Sequence, residues 1–156
     1  KIIILFLLIS CTNINFLLDE GGGSDFLKNK TSVYLSGWDN PVIKEVFFLK
    51  FGEASEKKFL LTAKISEKQI KRSVDVNQVA KKIDYKITID YSLSDINKNC
   101  PSVLNTQKSS FSFTPKSSGY NFASDVLFED LLRQAVLDNL NIFIDFANNA
   151  LKSKNC

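Results

Sequence analysis

The stretch from Ser109 to Leu151 constrains the fold more than any other part of the chain. Phe111 and Phe113 lie on one side of a short alternating segment that ends at Pro115, and a polar turn, Lys116 to Gly119, follows. Beyond it the longest helical pattern in the chain runs over roughly 123–152. Leu127, Leu131, Ala135, Leu140 or Val136, Ile142, Phe143, Phe146 and Ala150 trace a wide apolar stripe. Glu129, Asp130, Arg133, Asp138, Asn141, Asp145 and Asn148 fall on the wet side. Ser124 and Asp125 provide a cap and a first-turn acid, while Lys152 and Lys154 place cations at the other end, as the helix dipole favours. Most helical stability comes from packing an apolar face, so this helix needs a sheet to lie on.

The middle of the chain supplies that sheet. Ile83, Tyr85, Ile87, Ile89, Tyr91 and Leu93 alternate with Asp84, Lys86, Thr88, Asp90 and Ser92. A period of two over the whole run predicts a strand packed on one face and wet on the other, as in an antiparallel sheet. Lys57 to Ile65 alternates in the same way, with Phe59, Leu61, Ala63 and Ile65 on one face. The polar segment 66–82 reads as strand ends and a hairpin tip, Asp95 to Ser102 as a loop, and Gln107 to Thr114 as a further strand.

Upstream, Thr31 to Ser36 reads as a short strand ended by Gly37. Trp38-Asp39-Asn40-Pro41 reads as a helix start, with Asp39 or Asn40 as cap and Pro41 at the first helical position. That helix is expected to stop at Gly52 and to bury Val42, Val46 and Leu49, together with Phe47 and Phe48. The order is strand, helix, strand, strand, strand, helix. The expected fold is an α+β two-layer sandwich, with two helices packed on one face of a four-stranded, mostly antiparallel sheet.

The N-terminus reads as a separate part. Lys1, the apolar run Ile2 to Ile9 and the small residue Ser10 have the form of a secretory signal peptide over residues 1–10. Leu8-Ile9-Ser10-Cys11 resembles the bacterial lipobox, which implies lipidation of Cys11 and a membrane anchor. Thr12 after that cysteine, rather than Asp, favours the outer membrane by the same analogy. Residues 11–30, with Gly21-Gly22-Gly23-Ser24 at their centre, have the composition of a flexible tether, leaving 31–156 as a single domain. An oxidising periplasm then allows a disulfide between Cys100 and Cys156.

A formal charge of +3 is too small for a nucleic-acid binder. The absence of histidine removes Ser-His and Cys-His nucleophiles and His-containing zinc sites. Three cysteines without a Cys-x-x-Cys pair leave no four-thiolate metal site within one chain. Glu129 and Asp130 are adjacent on a helix and diverge, and Asp84 and Asp90 read as cross-strand charge partners. No enzyme, cofactor or metal is expected. One charge cluster stands out: Lys64, Lys68, Lys71, Arg72, Lys81 and Lys82, with Glu67, Asp75 and Asp84 among them. It reads either as a solvated hairpin tip or as a site for anionic groups such as phosphorylated glycolipid.

Several segments occur in an order that resembles a known family: the lipobox, the Val33-Tyr34-Leu35 strand with its helix, Phe59-Leu60-Leu61-Thr62-Ala63-Lys64-Ile65, and the strand from Lys82 to Leu93. Ser117-Ser118-Gly119-Tyr120-Asn121-Phe122-Ala123-Ser124-Asp125 and the acid-rich helix after it complete the pattern. Together they are similar to the lipopolysaccharide-assembly lipoprotein LptE family, especially its alphaproteobacterial branch, over most of residues 11–151. The resemblance implies a non-enzymatic outer-membrane lipoprotein on the periplasmic side. Such a protein plugs the LptD barrel, assists its assembly and binds lipopolysaccharide. It also implies that Lys71, Arg72, Lys81 and Lys82, at the hairpin tip, contact that lipid. A second basic position of the family falls on Ser124 here, with Lys116 a few residues earlier, and the family's Cys-Gly-Phe start is replaced by Cys11-Thr12-Asn13. An alternative expectation is a periplasm-facing lipoprotein that binds a small ligand or serves a transporter as an auxiliary subunit.

Overall fold

The computed structural model describes residues 26–74, 80–98, 102–115 and 122–153. The signal-peptide segment, Cys11, the glycine run, Cys100 and Cys156 lie outside the described residues. The chain folds as β1 (Thr31–Gly37), α1 (Pro41–Phe51), β2 (Phe59–Val74), β3 (Ala80–Asp95), β4 (Val103–Phe113) and α2 (Phe122–Ser153). The four strands form one sheet in the order β1-β2-β3-β4. β1 runs parallel to β2, which requires the crossover that α1 provides, and the remaining pairs are antiparallel. This is the α+β arrangement expected from the sequence.

Local chemistry explains the element ends. Asn40, not Asp39, caps α1: its side-chain oxygen accepts from the Val42 N–H at 2.9 Å. Gly52 closes the helix at φ 65°, and its N–H donates to the Phe48 carbonyl at 2.7 Å. Gly37 ends β1 at φ 94°, with its backbone so close to the Ile65 carbonyl that a Cβ would collide with that oxygen.

The structured domain begins earlier than Thr31. Leu27 is fully buried, and Phe26 packs edge-on to Phe59 at 5.9 Å between ring centroids. Asn29 donates to the Phe51 carbonyl at 2.7 Å, and the Lys30 carbonyl accepts from Lys58 and Phe59. This turn ties the start of the domain to the end of α1, so residues 26–30 belong to the fold rather than to a tether.

β2 and β3 are longer than the hydrophobic pattern suggests. Each has 16 residues, about 50 Å of extended chain. β1 pairs only with positions 59–65 of β2, so the distal half of the hairpin projects beyond it. Backbone pairing continues there while side chains such as Glu67, Gln69 and Lys71 replace the apolar alternation. A ladder needs no buried face to persist, and so left no period-two signal beyond Ile65.

Both helices cover one face of the sheet. Phe59, Leu61, Ala63, Ile65, Tyr85, Ile87, Ile89, Tyr91 and Leu93 are buried beneath them. Phe143 of α2 stacks on Tyr91 at 4.1 Å, and Phe47 of α1 approaches the other side of that ring at 6.4 Å. Nearer the hairpin tip, Phe128 contacts Tyr85, Phe111 and Phe113. The helix stripes are rotated from their expected phase. α1 buries Val42, Ile43, Val46, Phe47 and Phe51 and leaves Phe48 and Leu49 60% and 62% exposed. α2 buries Leu132, Ala135, Val136, Asn139, Leu140, Phe143, Ile144 and Ala147, while Leu127, Ile142 and Phe146 face outward. Among the described residues no helix is long and apolar enough to cross a membrane.

The polar member of that stripe is satisfied. Asn139 accepts from the Tyr91 hydroxyl at 2.8 Å and donates to the Ser109 hydroxyl at 3.3 Å. Burial pushes the Tyr91 phenol well above its ordinary range, so it stays protonated and remains the donor.

Candidate functional site

The opposite face of the sheet carries neither helix. Strand alternation puts the even-numbered residues of all four strands there. The register orders them into rows. Toward the β1 end, Tyr34, Thr62, Ser92 and Leu104 lie side by side. Lys64 and Asp90 come next, then Ser66, Thr88 and Lys108, then Lys68, Lys86 and Ser110. Ile70, Asp84 and Ser112 follow, and the cross-strand pair Arg72 and Lys82 lies beyond them toward the tip. The face is graded, from exposed Tyr34 and Leu104 at one end to cations toward the other.

The four tip residues expected from the resemblance do not form one cluster. Arg72 and Lys82 are directly opposed on the open face. Lys71 pairs with Ile83 and therefore lies on the other face. Lys81 is in β3, and its side chain lies outside the described residues. Arg72 is already engaged: its Nε donates to Asp84 Oδ2 at 2.7 Å, and Ser112 donates to the other carboxylate oxygen at 2.8 Å. The Arg72 hydrogen bond, helped by the one from Ser112, holds the Asp84 carboxyl below its ordinary range against a smaller opposing effect of desolvation.

The lysines of the middle rows are different. Lys68 and Lys86 are directly opposed like charges, and Lys108 stands one row away on β4. No carboxylate forms an ion pair with any of the three among the described residues. The nearby acids are occupied elsewhere: Asp84 by Arg72 and Ser112, Asp90 by the Thr106 hydroxyl at 2.7 Å, and Glu67 by Gln69. A groove of about 440 Å³ lies between these lysines, lined also by Ser66, Glu67, Ile87, Thr88, Ser109 and Ser110. Lys68 belongs to the cluster seen in the sequence. Lys86 and Lys108 join it only through the register, because 22 residues separate them along the chain and one row separates them in the sheet.

Smaller hollows of about 200 and 300 Å³ lie beside β1 and α1, lined in part by Trp38 and Asn40 and by Thr31 and Phe48. Among the described residues no group of three or more Cys, Asp or Glu side chains is placed to hold a metal ion.

No family model and no curated protein matches the chain. Solved structures do. The chain is similar to a protein of Caulobacter crescentus CB15 designated a lipoprotein, with 14% identity, a TM-score of 0.61, and coverage of 85% of this chain and 97% of that one. Rare lipoprotein B of Shewanella oneidensis aligns at 12% identity and TM-score 0.44, over 79% of this chain and 95% of its own. A minor lipoprotein of Acinetobacter baumannii aligns at 11% identity and TM-score 0.42, over 79% and 95%. At such identities the likeness to the Caulobacter protein is one of fold.

Proposed function

We propose that this chain is a lipid-anchored, non-enzymatic component of lipopolysaccharide export. In this reading it is an LptE-like lipoprotein held by Cys11 at the periplasmic side of the outer membrane. There it plugs an LptD-like barrel, assists the barrel's assembly and binds lipopolysaccharide. The observation that carries the reading is the uncovered sheet face, where, among the described residues, Lys64, Lys68, Arg72, Lys82, Lys86 and Lys108 stand against only Asp84 and Asp90. A polar, cationic surface suits both the polar interior of an outer-membrane barrel and a phosphorylated glycolipid. The packing of Phe47, Tyr91 and Phe143 against one another between the layers supports a plug over a carrier that encloses a small ligand at that point. The fold shared with the Caulobacter lipoprotein is consistent with an anchored periplasmic role.

The test is extraction of the affinity-tagged full-length lipoprotein from outer membranes in mild detergent, with partners identified by mass spectrometry. A large barrel protein should co-purify in near-equal amount. Recovery of the lipoprotein without any barrel sinks the proposal.

A further inference from the structure

We infer that the groove between Lys68, Lys86 and Lys108, rather than the hairpin tip, is a binding site for phosphate groups. Only the source of the phosphate rests on the function proposed above. Like charges directly opposed in an antiparallel pair weaken the sheet. Lys68 and Lys86 are so opposed, with Lys108 one row away and, among the described residues, no carboxylate paired to any of them. A surface shaped by solubility alone would intersperse acids, as the row holding Asp84 does.

The donors suit a tetrahedral oxyanion. Three ammonium groups supply charge and rotatable N–H donors, and Ser66, Thr88 and Ser110 supply hydroxyls at the same rows. At about 440 Å³ the groove admits one phosphate group, or two linked ones, with water. The tip offers less. Lys71 is on the other face, and the Arg72 guanidinium is held by Asp84, so an anion there must compete with a carboxylate already in place. The phosphate could belong to a lipid headgroup or to a small soluble anion, and the chemistry of recognition is the same.

The experiment measures binding of the full-length lipoprotein in detergent to two probes. One is inorganic pyrophosphate. The other is phosphatidylcholine vesicles doped with bis-phosphorylated lipid A, with dephosphorylated lipid A as the control. The triple variant Lys68→Gln, Lys86→Gln, Lys108→Gln should bind at least about tenfold more weakly, since each lost charge-assisted contact is worth about that factor or more. The double variant Arg72→Gln, Lys82→Gln should keep affinity within about threefold, a change of under one such contact. A loss on both probes supports the site with a small anion sufficing. A loss on phosphorylated vesicles alone supports it with a lipid headgroup as the source. No saturable binding by the wild type, equal losses in the two variants, or a loss confined to the tip variant each overturns the proposal. Loss of barrel co-purification in the triple variant, with phosphate binding intact, also overturns it and assigns the face to an acidic protein surface. Circular dichroism of both variants separates misfolding from loss of the site.

Discussion

The two faces of this sheet are built from alternate residues of the same strands, yet they solve opposite problems. On the covered face, Tyr91 meets Phe47, Phe143 and Asn139, and its ring and hydroxyl both find partners. On the open face, one residue away, Asp90 accepts from Thr106, and Lys86 faces Lys68 with no counter-charge among the described residues. The covered face is where apolar area and hydrogen bonds are brought together, so its residues carry stability. The open face is nearly free of that duty and retains charge arrangements that folding alone would not select. The contrast separates residues that make the fold from residues left available to a partner.

Breaking the covered face should have the largest effect. Phe143 is fully buried and stacks on Tyr91. Phe143→Ala should lower unfolding free energy by about 3–5 kcal/mol, through lost burial and a cavity that the sheet cannot collapse to fill. Urea denaturation followed by far-ultraviolet circular dichroism measures this directly. A loss below about 1 kcal/mol would mean that α2 does not pack against β3 as described, since core Phe truncations in a rigid interior cost several times that.

A smaller change tests the polar link within the same core. Tyr91→Phe keeps the ring and removes the hydroxyl that donates to Asn139. Asn139 Oδ1 would then stay buried without that donor, and stability should fall by about 1–3 kcal/mol. Truncating Ser109, which accepts from the other end of the same amide, should cost less, because the longer 3.3 Å bond is the weaker of the two.

These two residues also show where the sequence was legible. The alternation of Ile83 to Leu93 announced both faces, and the order of elements followed from it. The phase of α2 did not. Leu127, Ile142 and Phe146 are apolar yet exposed, while Asn139 is polar yet buried. A polar residue enters a core only when distant groups satisfy it, and Tyr91 and Ser109 come from two different strands. In α1, Phe48 and Leu49 misled in the same way. The candidate site was half visible. Lys68 sat in a basic run, but Lys86 and Lys108 become its neighbours only once pairing fixes which residues share a row. The tip cluster is divided for the reverse reason: Lys71 and Arg72 are adjacent in sequence, and adjacency in a strand means opposite faces.

The smallest effect is also the sharpest test of the comparison. Lys68→Thr removes one of two opposed ammonium groups and places a β-branched residue in a strand. If the open face serves stability, the variant should be weaker. If it holds charge for a partner, relief of the repulsion should raise stability by a few tenths of a kcal/mol, the scale of a single cross-strand pair. Salt distinguishes the cause. Added salt screens the repulsion between exposed lysines, so the wild type should gain stability with ionic strength and the variant should gain less. Thermal melts of both proteins across a salt series read the difference. A variant less stable than the wild type at every salt concentration would return Lys68 to the fold and leave the cationic row without a separate purpose.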